Sequence, residues 1–151
     1  MLNSTLCYIE KDNNYLMLHR NKKENDMNEG KWIGVGGKIE DKETPEECII
    51  REVFEETGLT LEKVFYRGLV TFINTKYETE YIFVYTATQF SGTLKECNEG
   101  TLAWIRKDEI FDLNLWDGDK YFLEKLLDDE KKPFSIKLSY KEDSLIDVKV
   151  I

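Results

Sequence analysis

Residues 44–58 carry the strongest secondary-structure signal in this chain. Thr44 is suited to cap a helix, Pro45 to occupy its first position, and Glu47 to complete a capping box three residues after the cap. Gly58 favours a helix stop, because glycine adopts the left-handed conformation at low cost. The sequence therefore predicts a helix over residues 44–58.

This helix is predicted to have two different faces. Apolar residues at helical spacing predict a core-facing side made of Ile49, Ile50, Val53 and Phe54. Glutamates at i, i+3 and i+4 spacing predict an acidic side made of Glu52, Glu55 and Glu56. Carboxylates this close repel one another by about 1 kcal/mol per pair near a surface, a cost that a bound divalent cation would reverse. A solvated acidic surface is the alternative for this spacing alone.

The rest of the chain alternates short apolar runs with polar turns. A polar stretch over residues 20–31 predicts a mobile loop. Strands are predicted at 6–9, 15–18, 64–73, 81–88 and 101–105, a second helix at 121–127, and a closing hairpin at 134–138 and 145–150. Helices among hairpins, without regular βαβ units, predict a mixed α+β class in which helices pack on the faces of a sheet.

Length and composition exclude several classes of protein. A chain of 151 residues is expected to form one domain over residues 1–151. Its 21 Lys and Arg against 30 Asp and Glu, a net charge of -9, disfavour stable binding to nucleic acid. The three cysteines are scattered, and no apolar run reaches the length of a membrane span, so a reduced, cytoplasmic protein is expected. Composition sets no oligomeric state.

A spaced motif extends the helix signal towards the N-terminus. Gly37 is followed by five residues and then Glu43, and after seven more residues the fixed positions are Arg51, Glu52, Val53, Glu55, Glu56, Gly58 and Leu59. This pattern resembles the Nudix box, and every fixed position of the box is matched. The resemblance implies a Nudix-like α/β/α sandwich with a central mixed sheet. It also implies an enzyme in which water attacks a phosphorus of a nucleoside diphosphate linked to another group.

The same resemblance implies a metal site. The expected ion is Mg²⁺, with Mn²⁺ as a substitute, because hard cations prefer oxygen ligands. The implied ligands are the Gly37 carbonyl and the carboxylates of Glu52, Glu55 and Glu56. Glu43 and Arg51 are expected to hold the loop and the helix in register. Glu99 is a further metal-ligand candidate, and either Glu52 or Glu99 is the candidate general base. For a loop residue such as Glu99, solvation is the alternative.

Phosphate contacts are expected from two places. Lys38 directly follows the paired glycines, and Lys23 lies in the polar loop with Arg20 and Lys22 as further candidates. For the loop cations, a solvated position is the default expectation.

Over nearly its whole length the chain also resembles the MutT-type 8-oxo-dGTP diphosphatases. The matching segments are residues 30–38, Phe72, and residues 116–122 with the strands that follow. The resemblance implies that a purine lies between aromatic walls, which are Phe72, Trp116 and Phe122. It implies Asp119 as the polar contact, with Asp117 as a second candidate. Two positions depart from the subfamily. Ile33 stands where the subfamily has an asparagine that contacts the purine, and an isoleucine side chain cannot form a hydrogen bond to a base. Gly118 stands where the subfamily has one of two adjacent aspartates.

The expected activity is release of pyrophosphate from an oxidised purine nucleoside triphosphate. A dinucleoside polyphosphate hydrolase is the runner-up, on the position of Tyr77 relative to the box. An ADP-ribose pyrophosphatase is disfavoured, because no proline lies between Pro45 and Pro133. A Nudix domain kept only as a nucleotide sensor normally loses box carboxylates, and none is lost here. The expected partner is therefore a small nucleotide, with no membrane contact.

Overall fold

A computed structural model of the protein describes residues 1–128 and 132–151. Within these ranges the chain forms a nine-stranded sheet, two α-helices and a short 3-10 helix at Ile110–Asp112. The strands are β1 (Leu2–Lys11), β2 (Asn14–His19), β3 (Trp32–Ile33), β4 (Val35–Lys38), β5 (Leu59–Asn74), β6 (Glu80–Gly92), β7 (Thr101–Arg106), β8 (Phe134–Lys141) and β9 (Ser144–Val150). The helices are α1 (Pro45–Thr57) and α2 (Asp119–Leu127). None of these helices is long and apolar enough to cross a membrane.

Strand pairing makes the sheet mixed. Its main order is β3-β2-β1-β6-β5-β8-β9, and β4 also pairs with β1 while β7 pairs with β2. The β1–β6 and β5–β8 pairs are parallel, whereas the hairpin pairs β1–β2, β5–β6 and β8–β9 are antiparallel. β1 is therefore central, and β4 brings the paired glycines against it, with Thr5 opposite Gly37.

The sheet separates two apolar cores, as its alternating side chains require. In β1, Tyr8 points into one core and its neighbours Cys7 and Ile9 into the other. α2 covers the first core with Phe122, Leu123 and Leu126, and α1 covers the second with Ile49 and Val53. The predicted arrangement of helices on both faces of a mixed sheet is confirmed.

Helix α1 begins and ends where its chemistry predicts. The Thr44 hydroxyl accepts a 3.0 Å hydrogen bond from the Glu47 amide, and the Glu47 carboxylate accepts one from the Thr44 amide. Gly58, which ends the helix, has a φ of 81°. The predicted apolar face is wrong in half of its members, since Ile50 and Phe54 are 38% and 54% exposed. Cys48, Glu56 and Thr57 are buried in their place, because the helix is rotated so that the Glu56 side faces the sheet.

Residues 20–31 form a loop, as their polarity predicts, and several of its side chains contact other parts of the chain. Arg20 forms an ion pair with Asp26 at 2.7 Å, and the Trp116 indole donates a 2.8 Å hydrogen bond to the side-chain oxygen of Asn28. Lys31 lies over the Trp116 ring, 5.3 Å from its centroid. Side-chain contacts distant in sequence therefore fasten this loop to the segment that precedes α2.

Candidate active site

One cavity of about 690 Å³ collects most of the predicted site residues. Its carboxylate end is lined by Gly37, Lys38, Glu52, Glu56 and Glu99. Its aromatic end is lined by Ile33, Phe72, Trp116, Asp119 and Phe122. Glu55 and Lys23 do not line the cavity. The fold thus brings together segments from β4, α1, β5, the loop before β7, and the start of α2.

Arg51 organises the carboxylate end. Its Nε and Nη2 atoms donate to the two Glu43 carboxylate oxygens at 2.7 and 2.9 Å, and its Nη1 donates to Glu52 at 2.8 Å and to Glu55 at 3.3 Å. Nη2 also donates to the Lys38 carbonyl at 3.3 Å. The hydrogen bonds from Arg51, together with one from the Glu40 backbone amide, lower the pKa of Glu43 to about 2. Arg51 therefore ties the glycine loop to the helix that carries the glutamates.

Gly37 lies against the Glu52 carboxylate. A β-carbon at position 37 would approach the carboxylate atoms of Glu52 to 2.4–2.6 Å, so no other residue fits without moving that side chain. The Gly37 carbonyl accepts a 3.3 Å hydrogen bond from the Thr5 hydroxyl. Burial of Glu52 raises the pKa of its carboxyl despite the hydrogen bond from Arg51. A partly buried carboxylate with a raised pKa suits either metal binding or proton abstraction.

Glu56 and Glu99 face each other at the bottom of this end. Burial, followed by the hydrogen bond to the Glu99 carboxyl, raises the pKa of Glu56 well above its usual range. The same hydrogen bond, together with Lys23 and Arg20, lowers the pKa of Glu99. Arg20 donates to Glu99 at 2.8 Å and Lys23 at 3.0 Å. Two of the loop cations predicted to contact phosphate are therefore held beside a carboxylate.

The donor set at this end fits a hard divalent cation. Glu56 has one buried carboxylate oxygen, Oε2, without a hydrogen-bond partner in the described residues, which a cation would satisfy. Glu52, Glu99 and the Gly37 carbonyl line the same space and supply further oxygen ligands. In residues 1–128 and 132–151, no group of three or more His, Cys, Asp and Glu side chains is arranged to hold a metal ion. Glu55, whose side chain is 57% exposed, bonds to Arg51 instead.

The aromatic end is a corner rather than a pair of parallel walls. The rings of Phe72 and Trp116 meet edge to face, with centroids 5.7 Å apart and planes at 78°. Tyr140 packs behind both rings, at 5.0 and 5.2 Å. Phe122 is only 3% exposed and packs against Tyr8, so it supports the floor of the corner. A planar base can stack on one ring while the other ring meets its edge.

Asp119 is the acidic residue at this end. It begins α2, and its backbone amide donates to the Trp116 carbonyl at 2.9 Å. Burial raises the pKa of its carboxyl to about 8, with Lys31 opposing the shift. The carboxyl is therefore mainly protonated at neutral pH and can both donate and accept a hydrogen bond.

Packing explains why a glycine precedes Asp119. The Gly118 amide donates a 2.6 Å hydrogen bond to the Tyr140 hydroxyl. A β-carbon at position 118 would lie 2.7 Å from that hydroxyl and 2.8 Å from Leu138, so a second aspartate has no room here. The residue that departs from the resemblance is thus dictated by its neighbours on β8.

Sequence reasoning missed the contribution of the polar loop to this cavity. Asp26, Met27 and Asn28 line it, although nothing in a polar stretch distinguishes them from solvated residues. Lys22, which was expected near phosphate, instead donates to the Cys97 carbonyl at 2.8 Å. Only contacts between loops that are distant in sequence reveal these positions.

Comparison with known proteins decides the family. A model of the NUDIX domain matches residues 2–126 of the chain. The chain belongs to the Nudix family. Nudix hydrolases act on phosphoanhydride bonds of small nucleotides and generally use divalent metal ions, so this protein is a hydrolase of that class.

Two relatives and one solved structure are similar to this Nudix hydrolase over most of its length. The oxidized purine nucleoside triphosphate hydrolase of Mus musculus is 30% identical over 118 residues, covering 78% of this chain and 74% of the relative. The protein of the same name from Danio rerio is 33% identical over 107 residues, covering 70% and 67%. The crystal structure of a MutT protein from Bacillus halodurans has a TM-score of 0.88 and 27% identity, covering 99% of this chain and 97% of that one.

Proposed function

We propose that this Nudix hydrolase, acting as one domain over residues 1–151, converts oxidised purine nucleoside triphosphates to the monophosphate and pyrophosphate, with 8-oxo-dGTP as favoured substrate. The observation that carries the proposal is the single cavity that joins the carboxylate end to the aromatic end. It can hold a triphosphate beside the box glutamates and a base against Trp116. The names of the mouse and zebrafish relatives support this substrate class.

The carboxylate end has the groups that phosphoanhydride hydrolysis requires. Mg²⁺, or Mn²⁺ in its place, would be held by Glu52, Glu56, Glu99 and the Gly37 carbonyl, with Glu55 nearby on the same helix. When bound, the metal neutralises phosphate charge and makes water a better nucleophile. Glu52 or Glu99 would accept the proton of the attacking water. Lys38, Arg20 and Lys23 would contact the phosphates, and the last two would exchange their bonds to Glu99 for bonds to the substrate.

The aromatic end has the groups that base selection requires. Stacking on an aromatic ring accepts any purine, so polar groups must distinguish the bases. A protonated Asp119 can donate to the O6 carbonyl of guanine and accept from the adjacent N1–H. Ile33 contributes shape only.

The test is hydrolysis of a nucleotide panel, with the products separated by anion-exchange chromatography. The panel contains 8-oxo-dGTP, the four ordinary deoxynucleoside triphosphates, ADP-ribose and a diadenosine polyphosphate, each with Mg²⁺, with Mn²⁺ and with excess chelator. We expect kcat/KM for 8-oxo-dGTP to exceed that for dGTP by about tenfold or more, and chelator to abolish turnover. Equal rates on all triphosphates would contradict the base assignment alone.

The same panel tests the runner-up. Tyr77 lines the cavity, and this position supports dinucleoside polyphosphate hydrolysis as the second candidate activity. Preference for the diadenosine substrate would replace the proposed activity. Absence of turnover on every member, with nucleotide binding retained, would identify a nucleotide sensor.

A further inference from the structure

Asn28 bonds to Trp116 in a way that fixes the orientation of its own side-chain amide. The Trp116 Nε1 atom lies 2.8 Å from Asn28 Oδ1. An indole N–H donates and never accepts, so the amide oxygen must face Trp116. The Nδ2 group, with its two N–H donors, must therefore face away from the indole.

The backbone holds Asn28 in this position from both sides. Its amide donates to the Asp26 carboxylate at 3.3 Å, and its carbonyl accepts from the Lys31 amide at 2.8 Å. Asp26 is itself held by Arg20, and Lys31 lies over the Trp116 ring. The side chain is thus presented by an anchored loop and not by a free one.

The Nδ2 donors are left for a ligand. Asn28 lines the cavity, and in residues 1–128 and 132–151 no protein atom accepts a hydrogen bond from its Nδ2. Its neighbours at the aromatic end are largely apolar: Met27, Ile33, Phe72, Phe122 and Leu138. Asp119 is a second polar residue beside Trp116, and its backbone amide donates to the Trp116 carbonyl. Trp116 is therefore bonded through its indole to the Asn28 side chain and through its carbonyl to the Asp119 backbone.

We propose that Asn28 is a specificity-determining residue of this site. Its Oδ1 positions the Trp116 ring, and its Nδ2 donates to an acceptor on the edge of the bound purine. A 6-oxopurine offers its O6 carbonyl as an acceptor there, whereas a 6-aminopurine presents an N–H donor that would oppose Nδ2. The residue favours guanine-type over adenine-type nucleotides. This inference rests on the proposed function, because it requires a purine at the aromatic end.

Asn28→Asp separates the two roles of the side chain. The aspartate retains an oxygen for the Trp116 indole and replaces the Nδ2 donors with an acceptor. Calorimetric titration of the metal-free protein with 8-oxo-dGMP, dGMP and dAMP measures binding without turnover. We expect the ratio of guanine to adenine affinity to fall by about tenfold or more in this variant. Using the ratio cancels the repulsion between the added charge and the phosphate, which is the same for all three ligands.

Two further variants complete the test. Asn25→Asp adds the same charge to an exposed position of the same loop and should leave the ratio unchanged. Asn28→Ala removes both roles and should weaken binding of all three ligands. An unchanged ratio in Asn28→Asp, in a wild type that does bind purines, overturns the assignment of Asn28 alone. A wild type that binds none of the three overturns both this inference and the proposed function, since Asn28 then has no base to select.

Discussion

The Glu56 carboxyl sets the charge at the bottom of the carboxylate end. It is 9% exposed, one of its oxygens has no partner in the described part of the chain, and its pKa is raised by burial and by Glu99. Without a cation, the favourable state is therefore the neutral acid. A divalent ion reverses this preference, because its charge stabilises the carboxylate form.

Replacing this residue separates fold from function. We expect Glu56→Gln to lower kcat by about 100-fold or more, because it removes the charge at a proposed metal ligand. Stability should change little, since glutamine resembles the neutral acid in shape and polarity. Steady-state kinetics and thermal unfolding without metal measure the two effects. Glu62→Gln, at an exposed position of β5, is the matched control, and unchanged turnover in Glu56→Gln would contradict the assignment.

Asp119 makes stability depend on pH. Its pKa is about 8 in the folded protein against an ordinary value of 3.8, so between these values the folded state binds more protons than the unfolded state. The contribution of Asp119 to the free energy of unfolding therefore falls as the pH rises through this range. Asp119→Asn does not titrate, and we expect its Tm relative to wild type to rise by about 3 °C or more from pH 5 to pH 9.

Thermal unfolding across that pH range provides the measurement for Asp119. Asp117→Asn, at the exposed position two residues earlier, should follow the wild-type curve. Parallel curves for wild type and Asp119→Asn would show that the Asp119 carboxyl ionises freely in the folded protein.

At the scale of elements, the site depends on where α1 and α2 begin. The capping box starts α1 after Thr44, which places Glu52 against Gly37 and Glu56 on the buried side. The start of α2 is set differently, because Gly118 makes no side-chain cap and is held by the Tyr140 hydroxyl. One helix is positioned by its own sequence and the other by a strand that follows it.

Gly118→Ala should move the start of α2. The added β-carbon would collide with the Tyr140 hydroxyl and with Leu138, and we expect a loss of about 1–3 kcal/mol in the free energy of unfolding. Tyr140→Phe removes one of the colliding atoms, so the double variant should lose less than the sum of the single losses. Urea unfolding of the four proteins measures this coupling. Strict additivity would show that the hydroxyl does not restrict position 118.

At the scale of the whole molecule, the cavity lies where two loops and two helices meet around one sheet. The loop over residues 20–31 contributes to both ends, since Arg20 contacts Glu99 and Asn28 contacts Trp116. We therefore expect substitutions in this loop to affect both phosphate binding and base binding.

The overall charge of -9 opposes binding to polymeric nucleic acid. We expect no binding of a fluorescent duplex DNA at about 10 μM protein and physiological salt, since non-specific complexes rely on basic surfaces. Fluorescence anisotropy checks this, with a purine nucleotide titration as the control for active protein. Micromolar binding that weakens steeply with salt would contradict the prediction.

Much of this architecture follows from local chemistry. The capping residues of α1 and the short apolar runs at 6–9 and 15–18 act over a few neighbours, so their outcome can be predicted without the rest of the chain. The family resemblance implies that Glu43 and Arg51 hold the loop and the helix in register, and in the structure Arg51 donates a hydrogen bond to the Glu43 carboxylate. The strands extend further than their apolar runs, as β5 does to residues 59–74, because pairing with a neighbour continues through polar positions.

The rest was decided by contacts between distant segments. Periodicity alone could not show that Ile50 and Phe54 face solvent while Glu56 is buried, because the rotation of a helix on a sheet depends on what it packs against. Nor could it show that Asn28 lies beside Trp116, 88 residues away. The sequence by itself determined the family, the capped helix and its glutamates, since these depend on local order. Only the tertiary structure decided which carboxyl is desolvated and which loop completes the base pocket, because burial is a property of the assembled molecule.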